Sequence, residues 1–215
     1  MNPYRLYLVT DDQQDLTTLK NVVREAVAGG VTMVQVREKG VDIRCFIDRA
    51  LAVKAVLQGT GVPLIINDRV DVALAVNAEG VHLGQSDMPV NMARQMMGKD
   101  KIIGLSIENK QQLIEAEHLP VDYLGLSAIF STPTKTNINT QWGIEGLATA
   151  IRISSLPMVA IGGINAKNVD AIIATGAHGV ALVSAICHAT CPQKAARHFS
   201  DLIHQAALFH HNSVT

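Results

Sequence analysis

The sequence has little of what would brace a chain from outside or tether it to something large. Cysteine occurs only at Cys45, Cys187 and Cys191, too few and too unpaired for a disulfide framework. Neither sign of charge dominates: Lys and Arg total 18 against 19 for Asp and Glu, a formal net charge of −1. That leaves no basic footprint for nucleic acid. Long hydrophobic runs are also missing. The longest purely apolar stretch, Val72–Val76, is far too short to span a bilayer. Met1-Asn2-Pro3-Tyr4-Arg5 leads straight into an apolar, strand-like run and lacks the layout of a secretory signal. No low-complexity linker or repeat motif interrupts the chain. These absences predict a cytoplasmic protein without nucleic-acid or membrane partners; homo-oligomerisation stays open.

What is present suffices for one large core. The chain has 215 residues, 48% of them hydrophobic, which argues for a single domain and against disorder. Residues 1–209 are expected to form that domain, with 210–215 a frayed tail. Short runs, most of them apolar on both faces, fall at Tyr4–Thr10, Met33–Arg37, Pro63–Asn67, Gly80–Leu83, Ile102–Ser106, Tyr123–Ser127, Pro157–Ile161 and Gly179–Val183. Parallel strands buried on both sides have this pattern. Between them lie stretches with helical spacing. Leu16–Ala28 carries Leu16, Leu19, Val22, Val23, Ala26 and Val27 at three- and four-residue spacing and stops at Gly29-Gly30; Ile43–Leu57, Asn165–Thr175 and Gln193–Leu208 are similar. Shorter helices are expected at Val70–Val76, Val90–Met97, Gln111–Glu115 and Gly143–Ser154. The alternation predicts an α/β fold with a parallel sheet. A closed (β/α)8 TIM barrel suits so short and evenly spaced a chain better than a doubly wound sheet, and no G-x-G-x-x-G follows the first strand.

In such a barrel chemistry gathers where strands end, and polar residues cluster there. The second strand ends Gln35-Val36-Arg37-Glu38-Lys39, placing Gln35, Arg37 and Lys39 on one face while the chain stays extended. Arg37 and Lys39 together make an anion clamp. The third strand ends at Asn67-Asp68, and Gly84-Gln85-Ser86-Asp87 follows the fourth. Asp68 and Asp87 are either hard oxygen ligands, suited to magnesium shared with a substrate phosphate, or caps of the helices that follow. Ser106 is either a small packing residue or a hydroxyl facing the pocket. His82, in mid-strand, reads as a satisfied core histidine. The long loop Ala128-Ile129-Phe130-Ser131-Thr132-Pro133-Thr134-Lys135-Thr136-Asn137 after the sixth strand has hydroxyls and a Lys suited to phosphate. Gly162-Gly163 and Val183-Ser184 close the last two strands with small residues that let backbone approach a phosphate. Cys187-His188-Ala189-Thr190-Cys191 lacks a partner cluster for zinc. His198, His204, His210 and His211 read as a solvated helix face and tail, and Asp11 or Asp12 as the cap of the first helix. The rim thus predicts two phosphate-binding regions and leaves a divalent metal open; it names no reaction.

The segments Gln35-Val36-Arg37-Glu38-Lys39, Ile66-Asn67-Asp68-Arg69, Gly80-Val81-His82-Leu83-Gly84-Gln85-Ser86-Asp87, Ile103-Gly104-Leu105-Ser106, Thr132-Pro133-Thr134-Lys135, Gly162-Gly163-Ile164 and Val183-Ser184 occur in an order that resembles the thiamine-phosphate synthase family. The resemblance runs from about residue 4 to residue 200. It implies a (β/α)8 barrel and a magnesium-dependent alkyl transfer between two small-molecule substrates, a pyrimidine diphosphate and a thiazole phosphate. Gln35, Val36, Arg37, Glu38, Lys39 and Asn67 are then expected to hold the pyrimidine diphosphate, Asp68 and Asp87 the magnesium, and Ser106 the pyrimidine. Thr132, Pro133, Thr134, Gly163, Val183 and Ser184 would hold the thiazole phosphate. Arg37, Lys39, Ser106 and Lys135 would carry the catalysis. One departure stands out: Gly125-Leu126-Ser127-Ala128-Ile129 replaces the Gly-Pro that family members often carry after the sixth strand. A thiazole tautomerase on the same barrel is the nearest rival, but it has no leaving diphosphate to explain both carboxylates and the Arg37, Lys39 and Lys135 set. A non-catalytic phosphate sensor is the rival of another class, and turnover would separate the two.

Overall fold

A computed structural model describes residues 2–131 and 141–213. Eight parallel strands close in sequence order into one barrel. They are β1 (Leu6–Val9), β2 (Met33–Val36), β3 (Leu64–Asn67), β4 (Gly80–Leu83), β5 (Ile102–Ile107), β6 (Tyr123–Ser127), β7 (Met158–Ile161) and β8 (Gly179–Leu182). The ring closes through β1 and β8, with Tyr7 opposite Ala181. The helices α1 (Leu16–Ala28), α2 (Ile43–Leu57), α3 (Val70–Ala75), α4 (Val90–Met97), α5 (Lys110–Ala116), α6 (Gly143–Ile153) and α7 (Val169–Ile173) connect successive strands. A short α8 (Ser184–Cys187) and a long α9 (Pro192–Ser213) follow β8.

Strand alternation divides the core in two. Outward residues such as Leu6, Leu8, Val34, Val36, Ile66 and Val81 pack against the helices in one continuous layer. Inward residues Tyr7, Val9, Met33, Ile65, Tyr123, Val159 and Ala181 fill the barrel itself. The expected architecture is therefore present, with adjusted ends. α7 begins later than the spacing predicted, and α9 continues to Ser213 rather than stopping at Leu208. α8 was not foreseen as a separate element.

The helix starts correct one reading. Asp15, not Asp11 or Asp12, caps α1, accepting the N–H groups of Thr17 and Thr18 at 2.8 and 3.0 Å. Asp42 and Asn109 cap α2 and α5 in the same way. The segments entering α3 and α4 have no side-chain cap at all. Asp68 and Asp87 are thus not helix caps.

Candidate active site

The C-terminal ends of the strands surround a cavity of about 580 Å³, within the usual range for small-molecule sites. Gln35, Arg37 and Lys39 line it from β2 and the following loop, Asn67 and Asp68 from β3, Asp87 from beyond β4 and Ser106 from β5. Gly163, Val183 and Ser184 line it from the β7 and β8 side, and α8 starts at Ser184. One mouth therefore collects most of the predicted set.

Two members of the set turn the other way. Val36 is fully buried in the layer between sheet and helices. Glu38 sends its carboxylate to Arg49 of α2, with Oε1 accepting from Nε at 2.6 Å. The reason is the alternation that brings Gln35, Arg37 and Lys39 inward: it must carry the side chains of 36 and 38 outward. Burial lifts the Glu38 carboxyl above the usual carboxylate range, although Arg49 pulls the other way. Thr132, Pro133, Thr134 and Lys135 lie outside the described residues.

The carboxylates and cations interlock. Lys39 Nζ contacts Asp68 Oδ2. Arg37 lies 3.9 Å from Asp12 Oδ2, a loose pairing that leaves its fork able to turn to another anion. Asp12 also accepts the Lys39 backbone N–H at 3.2 Å. Asp68 holds φ at +62°, a left-handed conformation that a non-glycine residue seldom adopts. Its N–H donates to the His82 carbonyl at 2.8 Å, so the β4 backbone secures that turn. Asp87 accepts the Gly84 N–H at 2.6 Å. Burial raises the Asp87 carboxyl, and the neighbouring Asp68 carboxylate adds to the rise. Two carboxyls forced side by side in a half-buried pocket, with Lys39 against one of them, form a donor set that a hard cation would relieve. Among the described residues no group of three or more His, Cys, Asp or Glu could hold a metal. Two carboxyls so placed would suit an ion that takes few protein ligands and shares phosphate oxygens and water.

On the opposite rim Gly162 and Gly163 have φ of +101° and +66°. A Cβ on Gly163 would lie 2.6 Å from the Ser131 carbonyl oxygen and 2.7 Å from Phe130 Cβ. Glycine there lets the β6 and β7 loops meet, as Phe130 N–H donating to the Gly162 carbonyl at 3.1 Å shows.

Tyr7 and Tyr123, which the sequence reading passed over, line the floor of the cavity beside His82. His82 is partnered at both ring nitrogens, by Tyr123 and Ser106, so it is satisfied as expected, yet it borders the pocket rather than the packed core. Glycines make room for it. A Cβ on Gly104 would lie 2.4 Å from His82 Nδ1 and 2.2 Å from Tyr123 Cζ.

Comparison with known proteins now gives this mouth a family. Residues 6–186 match the family model for thiamine monophosphate synthase. The chain belongs to the thiamine-phosphate synthase family. The thiamine-phosphate synthase of Vibrio parahaemolyticus serotype O3:K6 is 70% identical over 203 residues, covering 94% of this chain and all of that one. The Albidiferax ferrireducens synthase is 51% identical over 200 residues, covering 93% of this chain and 91% of its own length. Among solved structures, thiamine phosphate pyrophosphorylase from Pyrococcus furiosus superposes with a TM-score of 0.85 at 33% identity, covering 95% of this chain and 98% of that one. A 3-hexulose-6-phosphate synthase superposes with a TM-score of 0.68 at 15% identity, which reflects the shared barrel alone. Membership makes the chain a transferase of thiamine biosynthesis. No helix among its described residues is long and apolar enough to cross a membrane.

Proposed function

We propose that the protein joins hydroxymethylpyrimidine diphosphate to hydroxyethylthiazole phosphate in the cytoplasm, forming thiamine phosphate and releasing diphosphate. The observation that carries this reading is the meeting of Arg37, Lys39, Asp68 and Asp87 on one arc of the cavity, facing the Gly162–Gly163 and Ser184 rim. One arc suits a diphosphate and the other a monophosphate.

Asp68 and Asp87 would hold magnesium together with diphosphate oxygens; bound there, it supplies charge neutralisation for the leaving group. The remaining work falls to this chain's own groups. Arg37 offers a planar fork to phosphate oxygens, and Lys39 a mobile point charge close to the carboxylate pair. Both stabilise charge that grows as the bond from methylene carbon to oxygen breaks and its electron pair leaves with diphosphate. The pyrimidine ring stabilises the cation left behind. The thiazole nitrogen then donates its lone pair to the methylene carbon. No proton has to move in the bond exchange, which suits a mouth rich in cations and hydrogen-bond donors. The Gly163 and Ser184 backbone, with Thr132, Pro133 and Thr134, would position the thiazole phosphate, and Lys135 would reach the diphosphate. Holding the two reactants in line supplies much of the acceleration.

The test is a coupled diphosphate-release assay with and without the thiazole partner. Diphosphate and thiamine phosphate should appear in equal amounts when both substrates and magnesium are present. Absence of thiamine phosphate under those conditions, or conversion of the thiazole phosphate by itself, overturns the proposal.

A further inference from the structure

A continuous chain of hydrogen bonds crosses the barrel interior, linking five strands. Gln35 Nε2 lies 2.6 Å from Tyr7 Oη. Tyr7 Oη is 2.9 Å from Tyr123 Oη, and Tyr123 Oη is 2.8 Å from His82 Nδ1. His82 Nε2 is 2.9 Å from Ser106 Oγ. All five residues line the cavity. Tyr7 is 2% exposed and Tyr123 fully buried, and burial pushes both phenols far above their ordinary range. Each keeps its proton, so the chain holds two O–H groups of fixed number.

Their direction follows from the residue at the head. An amide NH2 only donates, so Tyr7 Oη accepts from Gln35. The Tyr7 O–H then points to Tyr123 Oη. Tyr123, already an acceptor there, donates to His82 Nδ1. With its Nδ1 lone pair accepting from Tyr123, the imidazole carries a proton on Nε2 and donates it to Ser106 Oγ. Ser106 Oγ is thereby occupied as an acceptor, and its own O–H is released toward the cavity. With the Gln35 NH2 turned to Tyr7, as it lies here, a reversed chain would set donor against donor at a buried position where an unmade hydrogen bond is costly; reversal requires the amide to turn end for end so that its oxygen accepts from Tyr7.

We propose that this chain is an orienting device: it holds His82 as the Nε2–H tautomer and so presents the Ser106 hydroxyl to the substrate as a donor. A donor at that point selects a ring nitrogen with a free lone pair, such as an aminopyrimidine offers and a ring with C–H in that place does not. The inference rests on the proposed pyrimidine substrate for its ligand, but the tautomer is a property of the free protein. Tyr7 acts through its neighbours and is a positioning residue.

The primary test needs no substrate. Protein labelled with 15N in histidine, free of ligands, is examined by long-range 1H–15N correlation at neutral pH, with the His82 signals assigned by their loss in His82→Gln. A pyridine-type Nδ1 and a pyrrole-type Nε2 at His82 are expected. The opposite tautomer, an averaged mixture or a protonated ring overturns the proposal. The second test uses Tyr7→Phe, which removes the O–H while keeping the ring. It should move both His82 nitrogen shifts toward averaged values. It should also raise KM for the pyrimidine diphosphate about fivefold, the worth of one ordinary hydrogen bond, with KM for the thiazole phosphate as in the parent. Unchanged His82 shifts, or the two KM values rising together, would refute the orienting role. If Tyr7→Phe does not fold, the parent's tautomer decides by itself. A protein that shows the expected tautomer but forms no thiamine phosphate would remove the proposed function while leaving the orienting chain standing.

Discussion

Glu38 and Arg49 form an ion pair at 2.6 Å, with side chains 0% and 10% exposed. It ties the loop after β2 to α2, immediately between the two cations that face the cavity. Glu38 Oε2 and Arg49 Nη2 are buried without a partner, so the pair is held by one contact rather than a two-pronged fork. Arg37 and Lys39 line the cavity while Glu38, between them, is anchored outward.

Arg49→Met should therefore do more than weaken packing. Removing one member of a buried pair costs about 3–5 kcal/mol, because the other charge is stranded. The Glu38 carboxyl already sits above the usual carboxylate range, and without Arg49 it should rise further. A folded-state value above the unfolded one means the penalty is full at higher pH and eases as pH falls through the folded-state value. Thermal melts of the variant should therefore approach those of the parent between pH 8 and pH 5, and KM for the pyrimidine diphosphate should rise. A melting deficit that is constant with pH would contradict this account.

Asp68→Asn and Asp87→Asn each remove one carboxylate charge with little change in shape. Asn tolerates the left-handed backbone at position 68 as well as Asp does, so the fold should survive. The magnesium concentration for half-maximal activity should rise about tenfold or more in each. A titration of rate against magnesium that superposes on the parent's in both variants would remove the metal assignment.

Gly163→Ala introduces a Cβ 2.6 Å from the Ser131 carbonyl oxygen at a residue with φ of +66°. The strain should cost about 1–3 kcal/mol, lowering Tm by several degrees in a chain of this length. The displaced loop should also raise KM for the thiazole phosphate more than KM for the pyrimidine diphosphate. Calorimetry and steady-state kinetics on the same preparation separate the two effects.

Gly104→Ala places a methyl group where Tyr123 Cζ and His82 Nδ1 now lie, at 2.2 and 2.4 Å. Both rings must move, so affinity for the pyrimidine diphosphate should fall about tenfold or more, on the scale of a lost buried network. Ligand titration by fluorescence or calorimetry would read it, and a variant that binds as tightly as the parent would show that the floor yields easily.

The barrel was legible because its strands are short, apolar on both faces and evenly spaced, and the rim was legible because polar residues crowd the strand ends. Asp68 and Asp87 were balanced between ligand and cap until the structure showed α3 and α4 without side-chain caps. Val36 and Glu38 come in with the family motif, although the alternation that puts Gln35, Arg37 and Lys39 on one face already turns them to the other. Tyr7 and Tyr123 escaped notice for a different reason. They sit on β1 and β6, which are not paired strands, and only closure of the ring brings their hydroxyls within 2.9 Å. Two tyrosines in apolar runs look like core until the partner across the axis is known.

The glycines at 104 and 125 carry this further. Both stand at inward positions beside His82, and a methyl at Gly125 would come within 3.0 Å of its ring. The axis of an eight-stranded barrel has width only for side chains, so a hydrocarbon there would have to be left out before an imidazole and two phenols could be let in. Selectivity at the bottom of the well is in that sense sculpted by subtraction: two missing carbons carve the recess, and whatever enters must match the wet surface they expose.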